Sequence, residues 1–251
     1  TLFPYTTLFR SIDAVIDGGV CSFGKESTLA DLSQKPYRIL RAGAVSEEAI
    51  ADALLDDMRV IGITGTTGAG KSTALEVLRQ QGAFVIDCDR LYHQMLTSRP
   101  DMLAEMADAF PDAVDEKGAD RRKLSEIVFR DEEALRTLNA ITHRYVLSEV
   151  KRLLRACAME GYALAAVDAV ELFAGGVSAL CDVTVAVLAP KEKRIQRIMQ
   201  RDGLSRERAE LRVSAQKGDD YYRQHCTVTV YNDDDVLSEA FQKQILEFTG
   251  E

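Results

Sequence analysis

From residue 59 onward the apolar positions alternate between two patterns. Five short runs, RVIGIT (59–64), AFVID (83–87), ALAAVD (163–168), VTVAVL (183–188) and TVTVY (227–231), read as strands. Four of them are nearly continuous in apolar or β-branched residues, as expected of strands covered on both faces of a parallel sheet. Helical segments fill the gaps, over 71–81, 90–97, 101–110, 121–129, 132–159, 190–201, 205–216 and 235–248. Regular alternation of strand and crossover helix predicts an α/β fold built on a doubly wound, five-stranded parallel sheet.

Residues 12–57 follow a different pattern. IDAVIDGG, STLADLS and YRILRAG are short strand candidates separated by turn residues. SEEAIADALLDD predicts an amphipathic helix with Ser46 as its N-cap and acids in the first turn. A segment this short buries little apolar surface and is marginal alone.

Composition narrows the setting. The chain of 251 residues has a formal charge of −9, so an anionic ligand needs a local basic patch, and whole-protein attraction to nucleic acid or an anionic membrane is not expected. No apolar run approaches the length of a membrane span, and the start has no secretory-leader order, so the expected location is the cytoplasm. Cys21, Cys88, Cys157, Cys181 and Cys226 are scattered, without C-x-x-C spacing, and read as reduced thiols. Oligomeric state is left open.

The chemistry starts after the first run of the alternating part. Gly65-Thr66-Thr67-Gly68-Ala69-Gly70-Lys71-Ser72, followed by Thr73, fits G-x-x-x-x-G-K-[ST] between a strand and a helix. Glycines let the backbone wrap a phosphate, and the helix start adds its positive end. Lys71 is expected to reach the β- and γ-phosphates of ATP, and Ser72 to sit on Mg²⁺. The loop specifies a nucleoside triphosphate without specifying the reaction. Neither an N-K-x-D guanine signature nor an LSGGQ-like stretch is present, and the length from Met58 suits a small kinase.

A kinase acting on a hydroxyl needs a carboxylate beside the attacking oxygen and another arranging the metal. Ligands of open α/β sheets lie beyond the carboxyl ends of the strands. There stand Asp87 and Asp89 of FVIDCD, which face one way if the chain stays extended, and Asp168 of ALAAVD. Asp89 is a candidate base, with capping of the next helix as its alternative role, and Asp168 a candidate metal residue. Residues 191–212 carry eight Lys or Arg and four acids. Arg194, Arg197 and Arg201 share one helix face, and DGLS separates them from Arg208 and Arg212. The pattern predicts a helical lid closing over phosphates, with Arg201 at the transferred group.

Together these stretches resemble dephospho-CoA kinases over residues 58–251. The resemblance rests on VIGITGTTGAGKST, GAFVIDCDRLYHQM, DRRKLSEIVFRDEEALRTLNAITH, RIMQRDGLSRERAELRVSAQ and VTVYND, in that order. It implies a P-loop kinase with acceptor-binding helices and transfer of the ATP γ-phosphate to the ribose 3′-hydroxyl of dephospho-CoA. It implies Asp89 as base, with Lys71 and Arg201 in the catalytic set. Asp87, Asp89, His143 and Asp168 would lie on the acceptor side, and Asn232 in an adenine-side turn. DAVELFAGG departs from the family's D-x-P-L-L-F-E-x-G at Val170, Glu171 and Ala174, and Arg144 replaces a proline. These departures keep a nucleotide or nucleoside kinase as the alternative.

The segment at 12–57 resembles the late part of threonylcarbamoyl-AMP synthase (YrdC-like) domains. The match rests on Gly24-Lys25-Glu26-Ser27-Thr28, Asp31 and ILRAG. It implies a truncated α+β remnant without synthase activity. A nucleotide- or double-stranded-RNA-binding module carried by this remnant is a third reading. TLFPYTTLFRS, residues 1–11, resembles a translated sequencing adapter and is expected to be an artefact.

Overall fold

The computed structural model describes residue 20, residues 24–233 and residues 238–249. The segment 1–11, the IDAVIDGG strand and Cys21 lie outside the described residues. A small antiparallel pair comes first, β1 (Leu29–Asp31) and β2 (Arg38–Arg41), followed by α1 (Glu47–Asp56). Ser46 caps α1 by accepting from the Ala49 amide, as its sequence position predicts.

The main unit runs β3 (Arg59–Gly65), α2 (Lys71–Gln80), β4 (Phe84–Asp87), α3 (Cys88–Ser98), α4 (Pro100–Ala109), a hairpin of β5 (Val114–Asp115) and β6 (Gly118–Ala119), α5 (Arg121–Val128), α6 (Glu132–Met159), β7 (Leu164–Asp168), β8 (Val183–Leu188), α7 (Lys191–Asp202), α8 (Arg206–Ser214), α9 (Asp219–His225), β9 (Val228–Tyr231) and α10 (Glu239–Leu246). All five predicted strands form one sheet in the order β4-β7-β3-β8-β9, every pair parallel.

Alternation of side chains along each strand builds two cores. Ile61 and Ile63 pack with Leu75 and Leu78 of α2 and with Phe241 and Ile245 of α10. Val60, Ile86 and Val167 face the other way, onto Val150 and Leu154 of α6. Each such buried Leu or Ile contributes roughly 1.5–3 kcal/mol. The chain between β4 and β7 folds into a separate helical cluster around Met102, Met106, Leu124 and Leu138. Helices α7 and α8 pair through Ile195, Ile198, Ala209 and Val213, with Gly203 in the left-handed region ending α7.

Two elements escaped the sequence pattern. The β5–β6 hairpin is too short to show a period. Helix α9 buries only Tyr222, so it carries no apolar stripe, and its order of Asp219 and Asp220 first and Arg223 and His225 last follows the helix dipole instead. The N-terminal piece is docked on α6. Leu54 and Leu55 pack against the second core, the Arg155 guanidinium holds Asp52 at 2.5 and 2.7 Å and also pairs with Glu48, and the Tyr37 amide donates to the Met159 carbonyl at 2.8 Å. No helix among the described residues is long and apolar enough to cross a membrane.

Candidate active site

The loop between β3 and α2 lies at the carboxyl edge of the sheet, where β3, β4 and β7 end together. Its shape depends on glycine at two close approaches. Gly65 has φ +132°, and a Cβ there would lie 2.1 Å from the Val187 carbonyl oxygen. Gly70 has φ +102°, and a Cβ there would meet Asn232 Nδ2 at 2.1 Å. Gly70 is also the N-cap of α2, so Lys71 and Ser72 open that helix. The first amides of a helix have no intrahelical acceptor and point toward whatever lies before its N-terminus.

The loop is held from outside by side chains distant in sequence. Asn232 is buried, and its Nδ2 donates to the Ala69 carbonyl at 3.0 Å. Buried Arg194 donates from Nε to the Thr67 carbonyl at 3.1 Å. Thr66 and Ala69 are fully buried and form the floor, and the Thr66 hydroxyl has no partner among the described residues. Asn232 therefore stands beside the loop, with its amide nitrogen committed to the loop backbone.

A cavity of about 610 Å³ opens above the loop. Thr67, Gly68, Gly70, Lys71 and Ser72 line one side, Asp89 and Asp168 another, and Arg197, Arg201 and Arg212 of the lid helices face them. A second cavity of about 200 Å³ lies against α6, lined by Tyr92, Asn139, Thr142, His143 and Glu171. Asp89 and Val170 line both cavities. The Asp89 carboxylate thus stands at the junction of a phosphate-type loop and a pocket roofed by the helical cluster.

The three strand-end acids do not share one role. The expectation that Asp87 and Asp89 face one way along extended chain is not met, because α3 begins at Cys88. Asp87, not Asp89, is the N-cap: its Oδ1 accepts the Arg90 amide at 2.9 Å. This leaves Asp89 in the first turn, lining both cavities, while Asp87 is exposed with its Oδ1 engaged by the cap. Asp168 pairs in register with Asp87 and Ile63. Burial pushes its carboxyl up to about 6; Lys71 opposes the rise, and the charges of Asp87 and Asp89 add to it. Its Oδ1 is buried without a partner among the described residues. Burial, aided by the charges of Asp168, Asp89 and Asp87, also raises the Cys88 thiol to about 12, so it stays neutral.

The lid arginines divide as well. Arg194, read as part of one basic face, is an internal post under the loop, and burial lowers its basicity. Arg197 reaches the Gly68 carbonyl at 3.3 Å. Arg201 lines the cavity with its guanidinium forked onto Asp202 at 2.7 and 3.0 Å, and Arg212 reaches the same carboxylate at 2.8 Å. Asp202 thereby gathers two cations at the cavity rim. His143 lines the second cavity from the middle of α6, whereas His93 is exposed. Gln216, which bonds Thr67, closes the stretch RIMQRDGLSRERAELRVSAQ, but a neutral side chain after a helix suggested no role by its chemistry.

A family model described as dephospho-CoA kinase matches residues 59–238. The dephospho-CoA kinase of Deinococcus radiodurans is 36% identical over 174 residues, covering 69% of this chain and 84% of that protein. The dephospho-CoA kinase of Thermus thermophilus is 36% identical over 198 residues, covering 76% of this chain and 92% of that one. Among solved structures, TT1252 from Thermus thermophilus superposes with a TM-score of 0.62 at 34% identity, over 77% of this chain and 99% of its own. Dephospho-CoA kinase from Campylobacter jejuni superposes with a TM-score of 0.52 at 26% identity, over 75% and 94%. By the family model and these relatives the chain belongs to the dephospho-CoA kinase family.

Proposed function

We propose that the chain transfers the γ-phosphoryl group of ATP to the ribose 3′-hydroxyl of dephospho-CoA, giving coenzyme A and ADP, in the cytoplasm. The observation that carries this is the position of Asp89, which lines both the loop cavity and the pocket against α6. A donor phosphate over the loop and an acceptor hydroxyl from the other pocket meet at that carboxylate.

Lys71, with the open amides at the start of α2, binds the phosphate oxygens. Asp89 accepts the hydroxyl proton as the oxygen attacks. Arg201 and Arg212, held at the rim by Asp202, are placed to exchange that carboxylate for the transferring group. His143 and Asp168 contribute to holding the acceptor, and Asn232 keeps the adenine-side turn against the loop. The residues fit a magnesium ion: Ser72 offers a hydroxyl, and Asp168 an unpartnered buried oxygen. Among the described residues no group of three His, Cys, Asp or Glu forms a cage, so phosphate oxygens and water would complete the shell. When bound, that ion neutralises charge on the phosphate oxygens. Residues 12–57 are read as the late part of a YrdC-like domain, of which Leu54, Leu55 and Asp52 pack and pair against α6 and its core.

The test incubates the full chain with Mg²⁺-ATP and dephospho-CoA, beside a panel of nucleosides and nucleotides, and detects products by mass. Coenzyme A is the expected product, and Asp89→Asn is expected to lower kcat by about 10²–10⁴ while ADP binding is kept. Phosphorylation of a nucleoside in place of dephospho-CoA would overturn the acceptor, and an unimpaired Asp89→Asn variant would remove the base.

A further inference from the structure

The lid is tied to the phosphate loop by the last side chain of the stretch RIMQRDGLSRERAELRVSAQ. Gln216 lies two residues past the end of α8. Its Oε1 accepts the Thr67 amide at 2.9 Å and Arg194 Nη2 at 3.0 Å, and its Nε2 donates to Thr67 Oγ1 at 2.6 Å. Arg194 completes the clasp by donating from Nε to the Thr67 carbonyl at 3.1 Å. One loop residue therefore has its amide, carbonyl and hydroxyl all engaged, by a side chain of α7 and one that follows α8. The Thr67 amide is spent on Gln216, which leaves phosphate binding to the amides that follow it. Arg194 has no carboxylate within salt-bridge distance among the described residues, so the Gln216 carbonyl is one of the two acceptors that satisfy this buried cation.

We propose that Gln216 is a positioning residue for the nucleotide: it fixes Thr67, and with it the backbone of the phosphate loop, in register with the lid. The inference rests on the loop being the nucleotide site. Removing the carboxamide leaves a loop amide and a guanidinium N–H without acceptors, and the loop relaxes before any phosphate arrives. A hydrogen bond to a charged group is lost along with two neutral ones, which corresponds to a weakening of roughly 10- to 100-fold if the cost falls on the nucleotide-competent loop. The acceptor pocket, lined from α3, α6 and the segment after β7, is not touched by Gln216.

The experiment compares the full-length wild-type chain with Gln216→Leu, Gln216→Glu and Thr67→Val. It reads titration of ADP and of dephospho-CoA by calorimetry, the KM for each substrate, and Tm. In Gln216→Leu, ADP binding and the KM for ATP are expected to weaken about 10-fold or more, with dephospho-CoA binding changed less than about twofold. Gln216→Glu is expected to restore ADP binding, because a carboxylate still accepts from the Thr67 amide and Arg194 while the Thr67 hydroxyl turns to donate. Thr67→Val loses one bond of the set, so a smaller loss in the same direction is expected even if the Leu variant folds poorly. Equal weakening of both ligands, undiminished ADP binding in Gln216→Leu, or failure of the Glu variant to recover overturns the inference. A wild-type chain that binds no ADP overturns the nucleotide-site reading itself, and this inference with it.

Discussion

Replacing Asp168 by Asn tests whether the site stores an electrostatic cost. The carboxyl ends β7 with one oxygen buried and unpartnered among the described residues. Burial raises it from 3.8 to about 6 despite the pull of Lys71. The native protein therefore holds this proton more tightly than the unfolded chain. Stability associated with the group is fully present below pH 3.8 and is lost as pH rises through about 6. At about 1.4 kcal/mol per pH unit the loss comes to ~3 kcal/mol by neutral pH. A neutral amide of the same shape avoids that cost. Asp168→Asn should thus melt above wild type by roughly 6–12 °C at pH 7.5 without nucleotide or magnesium, and the gap should close as pH falls toward 4. Scanning calorimetry of both proteins at several pH values reads the difference directly, and other titrating groups cancel between them. A variant no more stable than wild type at pH 7.5, or a gap that fails to shrink in acid, would refute the reasoning. Activity should move oppositely, since the amide cannot serve magnesium as a carboxylate does.

Two further perturbations separate local strain from packing, and docking from catalysis. Gly70→Ala places a methyl group 2.1 Å from Asn232 Nδ2 at φ +102°, whereas Gly82→Ala has φ +82° and open space. Both should lower Tm through backbone strain of about 1 kcal/mol, but only Gly70→Ala should weaken ATP binding, by tenfold or more, as measured by titration. Arg155→Ala removes the partner of Asp52 and Glu48. Limited proteolysis within residues 24–57 should accelerate while the KM for ATP and for dephospho-CoA stays unchanged; altered kinetics would mean that α1 does more than dock.

Much of this molecule was legible in the order of its residues because the signals are local. A continuous apolar run bounded by turn residues makes a buried strand whatever surrounds it, and all five such runs lie in the one sheet. Gly65 to Ser72 encode their loop through conformations that only glycine adopts cheaply and through the helix that follows. The resemblance in five ordered stretches rested on the same local text. What the tertiary structure alone decided are partnerships across the chain. Asp87 took the cap and freed Asp89, because the helix began two residues earlier than its apolar spacing suggests. Arg194 went under the loop while Arg201 stayed at the rim, although both lie on one basic helix. Gln216 met Thr67 across 149 positions of sequence. Such pairings depend on the strand order β4-β7-β3-β8-β9, which brings distant turns to one edge of the sheet. No period or motif encodes that order, because it emerges only when every crossover has packed.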